Sequence, residues 1–129
     1  MCGGDVARVE ARRGQHLHSD SWHGPKPSEK ELNACEWLVC SIAVHDITLS
    51  NAPLCFVGKQ AMLADSHDEP PCLVSELDQP PSSPYLCMRK GDVFFRNPLV
   101  WHCGTPNCSD SIRFLPGIQF HMSAGQSVL

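Results

Sequence analysis

The sequence lacks several features that would assign it to a class of protein at once. Its 129 residues contain no apolar run near the roughly 18 residues needed to cross a bilayer. No apolar signal-peptide core follows the opening residues, and the eight cysteines include no C-x-x-C pair. We therefore expect an intracellular, cytoplasmic protein with reduced thiols and no membrane span.

A surplus of basic residues is also missing. Ten Lys and Arg stand against 14 Asp and Glu, and no basic stripe is interleaved with aromatic residues, so nucleic-acid binding is not expected. The sequence has no internal repeat and no helical periodicity longer than about two turns. A helix bundle or an α/β layer fold is therefore disfavoured.

The sequence does contain short strand-like segments separated by turns, within a length that fits one domain over residues 1–129. The best core strand is the near-continuous apolar run CEWLVCSIAVH. This pattern predicts a mainly β domain, either a β-sandwich or a jelly roll. The predicted strands cover residues 15–20, 35–45, 52–57, 85–89, 93–96 and 112–122.

Two segments have the composition of loops. Residues 21–33 are charged and contain Gly24 and two prolines, which predicts a loop with the possible role of a lid, although Ser28 followed by Glu31 fits the cap of one helical turn. Residues 59–84 carry five prolines and few apolar side chains. We expect this second segment to be an exposed, mobile surface loop.

Three residues have the pattern of a metal site. In a strand, residues i and i+2 point to the same face, so His18 and Asp20 of HLHSD can reach one metal ion. An imidazole from a distant strand, His102 in PLVWHCG, would complete a set of two histidines and one carboxylate. That set binds one face of Fe(II) and leaves three coordination positions open.

Arg113 strengthens this interpretation. It follows the turn PNCSD on a predicted strand, and a guanidinium fork binds a carboxylate through two parallel hydrogen bonds. Taken alone, an H-x-D triplet often arises by chance, and His102 could be a hydrogen-bonded core histidine. We interpret His45, His67 and His121 as surface or core residues, because none has a partner at ligand spacing.

The sequence resembles the phytanoyl-CoA dioxygenase-like family of Fe(II)- and 2-oxoglutarate-dependent oxygenases in three ordered blocks. The last is MRKGDVFFRNPLVWHCGTPNCSDSIRFLPGIQF, with a Gly-Asp turn, the distal histidine and the arginine strand. The central block is LVCSIAVHDITLSNAPLCFVG, where Ala52 replaces the family's glycine. The first block, HLHSDSWHGP, contains the family's H-x-D strand.

The resemblance implies a double-stranded β-helix (jelly roll) that lacks most of the usual N-terminal segment. It implies His18, Asp20 and His102 as iron ligands and Arg113 as the residue that binds the cosubstrate, 2-oxoglutarate. The implied activity is hydroxylation of a small organic or lipid-like molecule with molecular oxygen, releasing succinate and CO2. The substrate and the oligomeric state stay open.

Two alternatives compete with an active oxygenase. One is a truncated, non-catalytic relative that binds metal or ligand without turnover. The other is a small zinc-binding module built from the cysteines, whose pairs Cys35 with Cys40 and Cys103 with Cys108 each enclose four residues.

Overall fold

The computed structural model of the protein describes residues 2–9, 11, 13–20, 28–56 and 85–122. The predicted loop at 59–84 lies outside the described residues, as do residues 21–27 of the other predicted loop. No helix within the described ranges is long and apolar enough to cross a membrane. In chain order the elements are β1 (Cys2–Ala7), α1 (Glu29–Asn33), β2 (Trp37–Ile42), β3 (Leu54–Phe56), β4 (Tyr85–Leu86), β5 (Val93–Arg96), β6 (His102–Gly104) and β7 (Arg113–His121).

The strands form two antiparallel sheets, one with four strands in the order β1-β7-β2-β5 and one with three in the order β4-β3-β6. The long strand β7 pairs with β1, which sets Arg113 opposite Ala7, and with β2, which sets Ile118 opposite Cys40. In the smaller sheet, Cys55 of β3 lies opposite Cys103 of β6. The mainly β architecture predicted from the sequence is confirmed.

The hydrophobic core has two parts. The first joins the sheets, because Leu115 of β7 packs with Leu54 of β3 in a buried cluster completed by Ala43, Ile47 and Met88. The second lies around α1 and β6 and consists of Leu17, Leu32, Cys55, Leu99, Trp101 and Cys103. Leu32 is the buried residue of α1, so this short helix is held by one apolar anchor.

The predicted strands agree with the structure at most positions. β5 has the predicted bounds, and β2, β3 and β7 lie inside the predicted segments with shorter ends. The segment 85–89 is divided into β4 and a single bridge between Met88 and Ile47. Strand ends differ because a sequence pattern locates the apolar run and not the last ladder hydrogen bond.

Three expectations were wrong. The segment 15–20 is not a continuous strand, because its one bridge joins His18 to His102. Residues 28–33 were interpreted as loop, whereas the alternative of one helical turn capped by Ser28 and Glu31 is the correct one, because these two residues form the capping box of α1. Strand β1 was not predicted, since its sequence CGGDVA shows no apolar alternation and becomes a strand by pairing with β7.

Two turns bring chain segments to the site. Ala52 has φ of 62°, in the left-handed region that glycine favours, and its carbonyl accepts a 3.0 Å hydrogen bond from Nε of Arg113. The buried side chain of Asn107 donates from Nδ2 to the carbonyls of Ala7 and Ser111, at 3.2 and 2.9 Å. Asn107 therefore fixes the turn that leads into β7.

Candidate metal centre

The three predicted metal ligands lie together between the sheets. His18 is paired with His102, the first residue of β6, by two backbone hydrogen bonds of 2.9 Å. Asp20 lies two residues after His18, and its amide donates to the carbonyl of Pro98 at 3.0 Å. The bridge and the i, i+2 spacing bring two imidazoles and one carboxylate to a common point.

The distances between the donor atoms suit a single metal ion. One ligand atom from each of His18, Asp20 and His102 lies within 4.8 Å of the others. The two imidazole rings have centroids 4.6 Å apart, and Nε2 of His102 is 3.4 Å from Oδ1 of Asp20. This donor set of two nitrogen atoms and one carboxylate is the facial arrangement typical of non-heme iron.

The tautomer of each histidine is set by the backbone. Nδ1 of His18 lies 2.7 Å from the carbonyl of His16, and Nδ1 of His102 lies 2.9 Å from the carbonyl of Val100. Because a carbonyl only accepts, each Nδ1 carries a proton, which leaves each Nε2 as the nitrogen that can bind a metal. Both rings therefore present Nε2 to the centre, as metal-binding histidines require.

Asp20 is held as a carboxylate. Burial raises its pKa, but the hydrogen bond with His102 and the charge of Arg96 outweigh that effect and lower the pKa to about 2. Arg96, the last residue of β5, contacts Oδ2 of Asp20 with Nη2, while Oδ1 faces His102. One carboxylate oxygen is therefore oriented by Arg96 and the other is directed at the metal position.

A cavity of about 310 Å³ opens at the three residues. Both sheets contribute to its walls, which combine ionic, amide and apolar side chains. The lining residues are Gly4, Asp5, Gln15, His18, Asp20, Val39, Ser41, Leu54, Arg96, His102, Leu115, Gly117, Ile118 and Gln119.

Arg113, the predicted cosubstrate residue, lies behind this wall, with its side chain 1% exposed. Its guanidinium is bound to Asp5 of β1: Nη2 donates to Oδ2 at 2.7 Å and Nη1 donates to the backbone carbonyl at 3.2 Å. Nε donates to the carbonyl of Ala52. The guanidinium of Arg113 is therefore already paired with a carboxylate of the same chain, that of Asp5.

Gln15 and Gly104 complete this polar network. Nε2 of Gln15 donates to Oδ1 of Asp5 at 3.1 Å, and Oε1 of Gln15 accepts from the amide of Gly104 at 2.8 Å. A Cβ at Gly104 would lie 2.8 Å from Oε1 of Gln15 and 3.2 Å from Oδ2 of Asp5. The absence of a side chain at Gly104 therefore makes room for the network.

Sequence reasoning did not find Asp5, Gln15 or Arg96. Asp5 and Arg113 are 108 positions apart, so their contact has no local signal. Arg96 ends a predicted strand in the block that contains His102, and an inward-facing arginine there could have been suspected.

Among the described residues, the other histidines and cysteines are not part of the metal-ligand cluster. His45 accepts from the amide of Phe114 through Nε2, and His121 pairs with Glu36 at the surface. His67 is outside the described residues. Within the described ranges, the cluster of His18, Asp20 and His102 contains no cysteine, so the zinc module of paired cysteines gains no support from the geometry.

The fold is that of a jelly roll. The chain matches the family model of phytanoyl-CoA dioxygenase (PhyH) over residues 6–115. The protein therefore belongs to the phytanoyl-CoA dioxygenase family, whose members use Fe(II) and 2-oxoglutarate. No significant match was found among curated protein sequences.

Solved structures share this fold at low sequence identity. HygX from Streptomyces hygroscopicus, with nickel and 2-oxoglutarate bound, has a TM-score of 0.66 and 14% identity over 94% of this chain and 54% of HygX. AviO1 from Streptomyces viridochromogenes Tue57 has a TM-score of 0.60 and 18% identity over 98% of this chain and 53% of AviO1. The non-heme monooxygenase ThoJ has a TM-score of 0.66 and 14% identity over 94% of this chain and 45% of ThoJ. The chain thus spans about half the length of these relatives.

Proposed function

We propose that the protein is an Fe(II)- and 2-oxoglutarate-dependent dioxygenase that hydroxylates a small organic or lipid-like molecule. The observation that carries the proposal is the convergence of one ligand atom each from His18, Asp20 and His102 within 4.8 Å at a cavity. Family membership supports the same chemistry, since oxidation coupled to 2-oxoglutarate is the family's reaction.

The residues fit Fe(II) by their chemistry. His18, Asp20 and His102 would hold it as two neutral imidazoles and one carboxylate, with ring orientations already set by backbone carbonyls. Arg96 would orient the carboxylate through its second oxygen, as partners of ligating carboxylates commonly do. Bound Fe(II) and 2-oxoglutarate together supply the oxidising power that no side chain of the protein has.

The residues also fit the distal carboxylate of 2-oxoglutarate. The carboxylate of Asp5 accepts from Nη2 of Arg113 at 2.7 Å, which supports a carboxylate-binding role for this guanidinium. Because the Arg113 side chain is 1% exposed, water would screen its attraction for a carboxylate only weakly. We assign to Arg113 the role of binding 2-oxoglutarate.

The cavity favours a small substrate. Its volume of about 310 Å³ is at the low end of the range of ligand cavities, which begins near 300 Å³. Leu54 and Leu115 provide apolar surface, while Ser41 and Gln119 provide polar groups that can orient a ligand. The role of the protein is to hold the substrate carbon near the metal and to exclude competing reactions.

An anaerobic titration tests the proposal. Adding Fe(II) and then 2-oxoglutarate to the purified chain should produce the weak visible charge-transfer band of the chelated complex. The Asp20→Ala variant should give no band, because it lacks the carboxylate ligand. No band from the wild-type chain, together with no heat of 2-oxoglutarate binding, would refute the assignment.

The second candidate function is binding of metal or ligand without turnover. It is favoured by one observation, the occupation of the Arg113 fork by Asp5. Succinate formation on exposure to oxygen separates the two. A chain that forms the band and produces succinate is an enzyme, whereas a chain that forms the band and yields no succinate with or without added substrates is a binding protein.

A further inference from the structure

Among the described residues, the ion pair between Asp5 and Arg113 opposes binding of the proposed cosubstrate, 2-oxoglutarate. All three guanidinium nitrogen atoms of Arg113 have partners: Oδ2 and the carbonyl of Asp5, and the carbonyl of Ala52. A buried guanidinium needs a carboxylate to balance its charge, and Asp5 already supplies one. The charge of Arg113 is therefore balanced, and its guanidinium nitrogen atoms have hydrogen-bond partners, before any ligand binds.

Asp5 is also held in place from its other side. Gln15 donates to Oδ1, and Gln15 is in turn fixed by the amide of Gly104. Asp5 and Gln15 both line the cavity at the metal ligands, so they stand where a bound dicarboxylic acid would have to pass or lie. Asp5 precedes the region of the family match, which begins at residue 6, so the family pattern does not account for this carboxylate.

Two ionised carboxylates do not share one fork without strong repulsion, because like charges a few ångströms apart destabilise each other. The distal carboxylate of 2-oxoglutarate can therefore reach Nη2 of Arg113 when the Asp5 carboxylate leaves it. The side chain of Asp5 is 24% exposed, and among the described strands β1 lies at the edge of its sheet and pairs with β7 alone. Asp5 can thus turn away from Arg113 without breaking the centre of the sheet.

We propose that Asp5 is an internal competitor for the 2-oxoglutarate site: its carboxylate occupies the fork of Arg113 and must be displaced when the cosubstrate binds. This inference rests on the proposed function and adds a specificity-determining residue to it. The apparent affinity for 2-oxoglutarate equals the intrinsic affinity multiplied by the fraction of molecules in which Asp5 has left Arg113. A 2-oxo acid without a distal carboxylate does not compete with Asp5, so the contact discriminates between cosubstrates by chain length and charge.

Calorimetric titration of the nickel-loaded chain tests the competition. Removing the carboxylate in Asp5→Ala should lower the dissociation constant of 2-oxoglutarate by roughly tenfold or more, since the ligand then pairs with an unneutralised guanidinium. Asp5→Asn, which keeps the side-chain shape without the charge, should lower it by a smaller factor. Pyruvate, a 2-oxo acid with one carboxylate, should bind the wild type and Asp5→Ala equally.

A matched control removes a carboxylate elsewhere. Glu36→Gln breaks the exposed pair with His121 and should leave the 2-oxoglutarate constant unchanged. Equal 2-oxoglutarate affinity in the wild type, Asp5→Ala and Asp5→Asn would overturn the competition and leave the proposed function intact. Failure of all three to bind 2-oxoglutarate would overturn the competition and the proposed function together, so the two failures are distinguishable.

Discussion

At the residue scale, His18 and His102 owe their direction to one repeated feature, a hydrogen bond from Nδ1 to the carbonyl two residues earlier. The same local geometry therefore serves both histidines. The sequence therefore predicted both residues and the aspartate, because ligand chemistry and i, i+2 spacing are local properties.

Replacing His18, Asp20 or His102 by Ala should sharply weaken metal binding, because each change removes one of three protein ligands. We expect a loss of affinity of at least tenfold in each variant, of the size seen when a metal site is disturbed. Calorimetry with Fe(II) under anaerobic conditions measures it. His121→Ala, which removes a surface imidazole, is the control, and undiminished affinity in all three ligand variants would contradict the assignment.

Arg113→Lys should weaken 2-oxoglutarate binding more than metal binding. Lys keeps the positive charge but loses the planar fork, and one charge-assisted hydrogen bond contributes on the order of 1.5–3 kcal/mol. The dissociation constant of 2-oxoglutarate should rise roughly tenfold or more. Metal affinity of the same sample is the internal control; an unchanged 2-oxoglutarate constant would show that Arg113 does not bind the cosubstrate.

The network behind the cavity lay beyond sequence reasoning for a physical reason. Asp5, Gln15 and Gly104 meet Arg113 through contacts between strands that are adjacent in space and distant in the chain. A lone aspartate after two glycines carries no signal of burial or pairing. Prediction of such contacts needs the strand order, and the order β1-β7 follows from no pattern in the sequence.

At the scale of elements, α1 shows how composition and capping compete. Its segment is charged and follows two prolines, which favoured a loop, yet Ser28 and Glu31 satisfy each other and the free amides of the first turn. Leu32 then anchors the turn in the core. The capping pattern was the better guide, because it describes where the backbone hydrogen bonds go.

The capping box gives α1 a pH dependence. Hydrogen bonds from the hydroxyl and amide of Ser28 lower the pKa of Glu31 below its ordinary value of 4.5. A lowered folded-state pKa means that the stabilisation is present above the ordinary pKa and is lost as pH falls through the lowered one. Glu31→Gln should therefore reduce the denaturation midpoint at pH 7, with the difference from wild type disappearing in acid.

A neighbouring glutamate provides the control for this measurement. Glu29→Gln removes a charge from the same first turn without touching the cap, so it separates the capping bonds from the general effect of charge at a helix N-terminus. Denaturant unfolding of the three proteins across pH gives the comparison. A difference for Glu31→Gln that persists unchanged into acid would contradict the capping role.

The packing of β6 against the polar network depends on Gly104, because glycine has no side chain. Gly104→Ala places a Cβ 2.8 Å from Gln15 and 3.3 Å from Nη2 of Arg113, so the network must move, and we expect a loss of about 1–3 kcal/mol. Gly117→Ala is the matched control in β7, because its Cβ would meet ordinary contacts of 3.6 Å or more. Chemical denaturation measures both; equal stabilities would show that the network is not tightly packed.

At the scale of the whole molecule, the two faces of β7 could not be told apart from the sequence. Arg113 and Leu115 point into the molecule, while Phe114, Ile118 and Phe120 are on the outer face and partly exposed. The outward set is the more apolar of the two, so alternation alone does not identify the buried face. The face of β7 that carries Leu115 is buried because the three-stranded sheet packs against it.

The orientation of β7 predicts that two similar substitutions in this strand differ greatly in their effect on the free energy of unfolding. Leu115 is 3% exposed and packs against Leu54 of the opposite sheet, so Leu115→Ala opens a hole where the sheets join and should cost about 2–5 kcal/mol. Ile118 is 37% exposed, and Ile118→Ala removes a side chain that already touches water. We expect its cost to be roughly 1 kcal/mol or less, since little buried apolar surface is lost.

Urea unfolding of the two variants decides whether the sheets pack as described. Both side chains are aliphatic and of equal volume, so the difference between their free energies of unfolding reports burial and not size. Because Leu115 also lines the cavity, its loss should weaken 2-oxoglutarate binding as well as stability. If Ile118→Ala cost as much as Leu115→Ala, the outer face of the four-stranded sheet would have to be covered in solution, and the two-sheet core would not be the main source of stability.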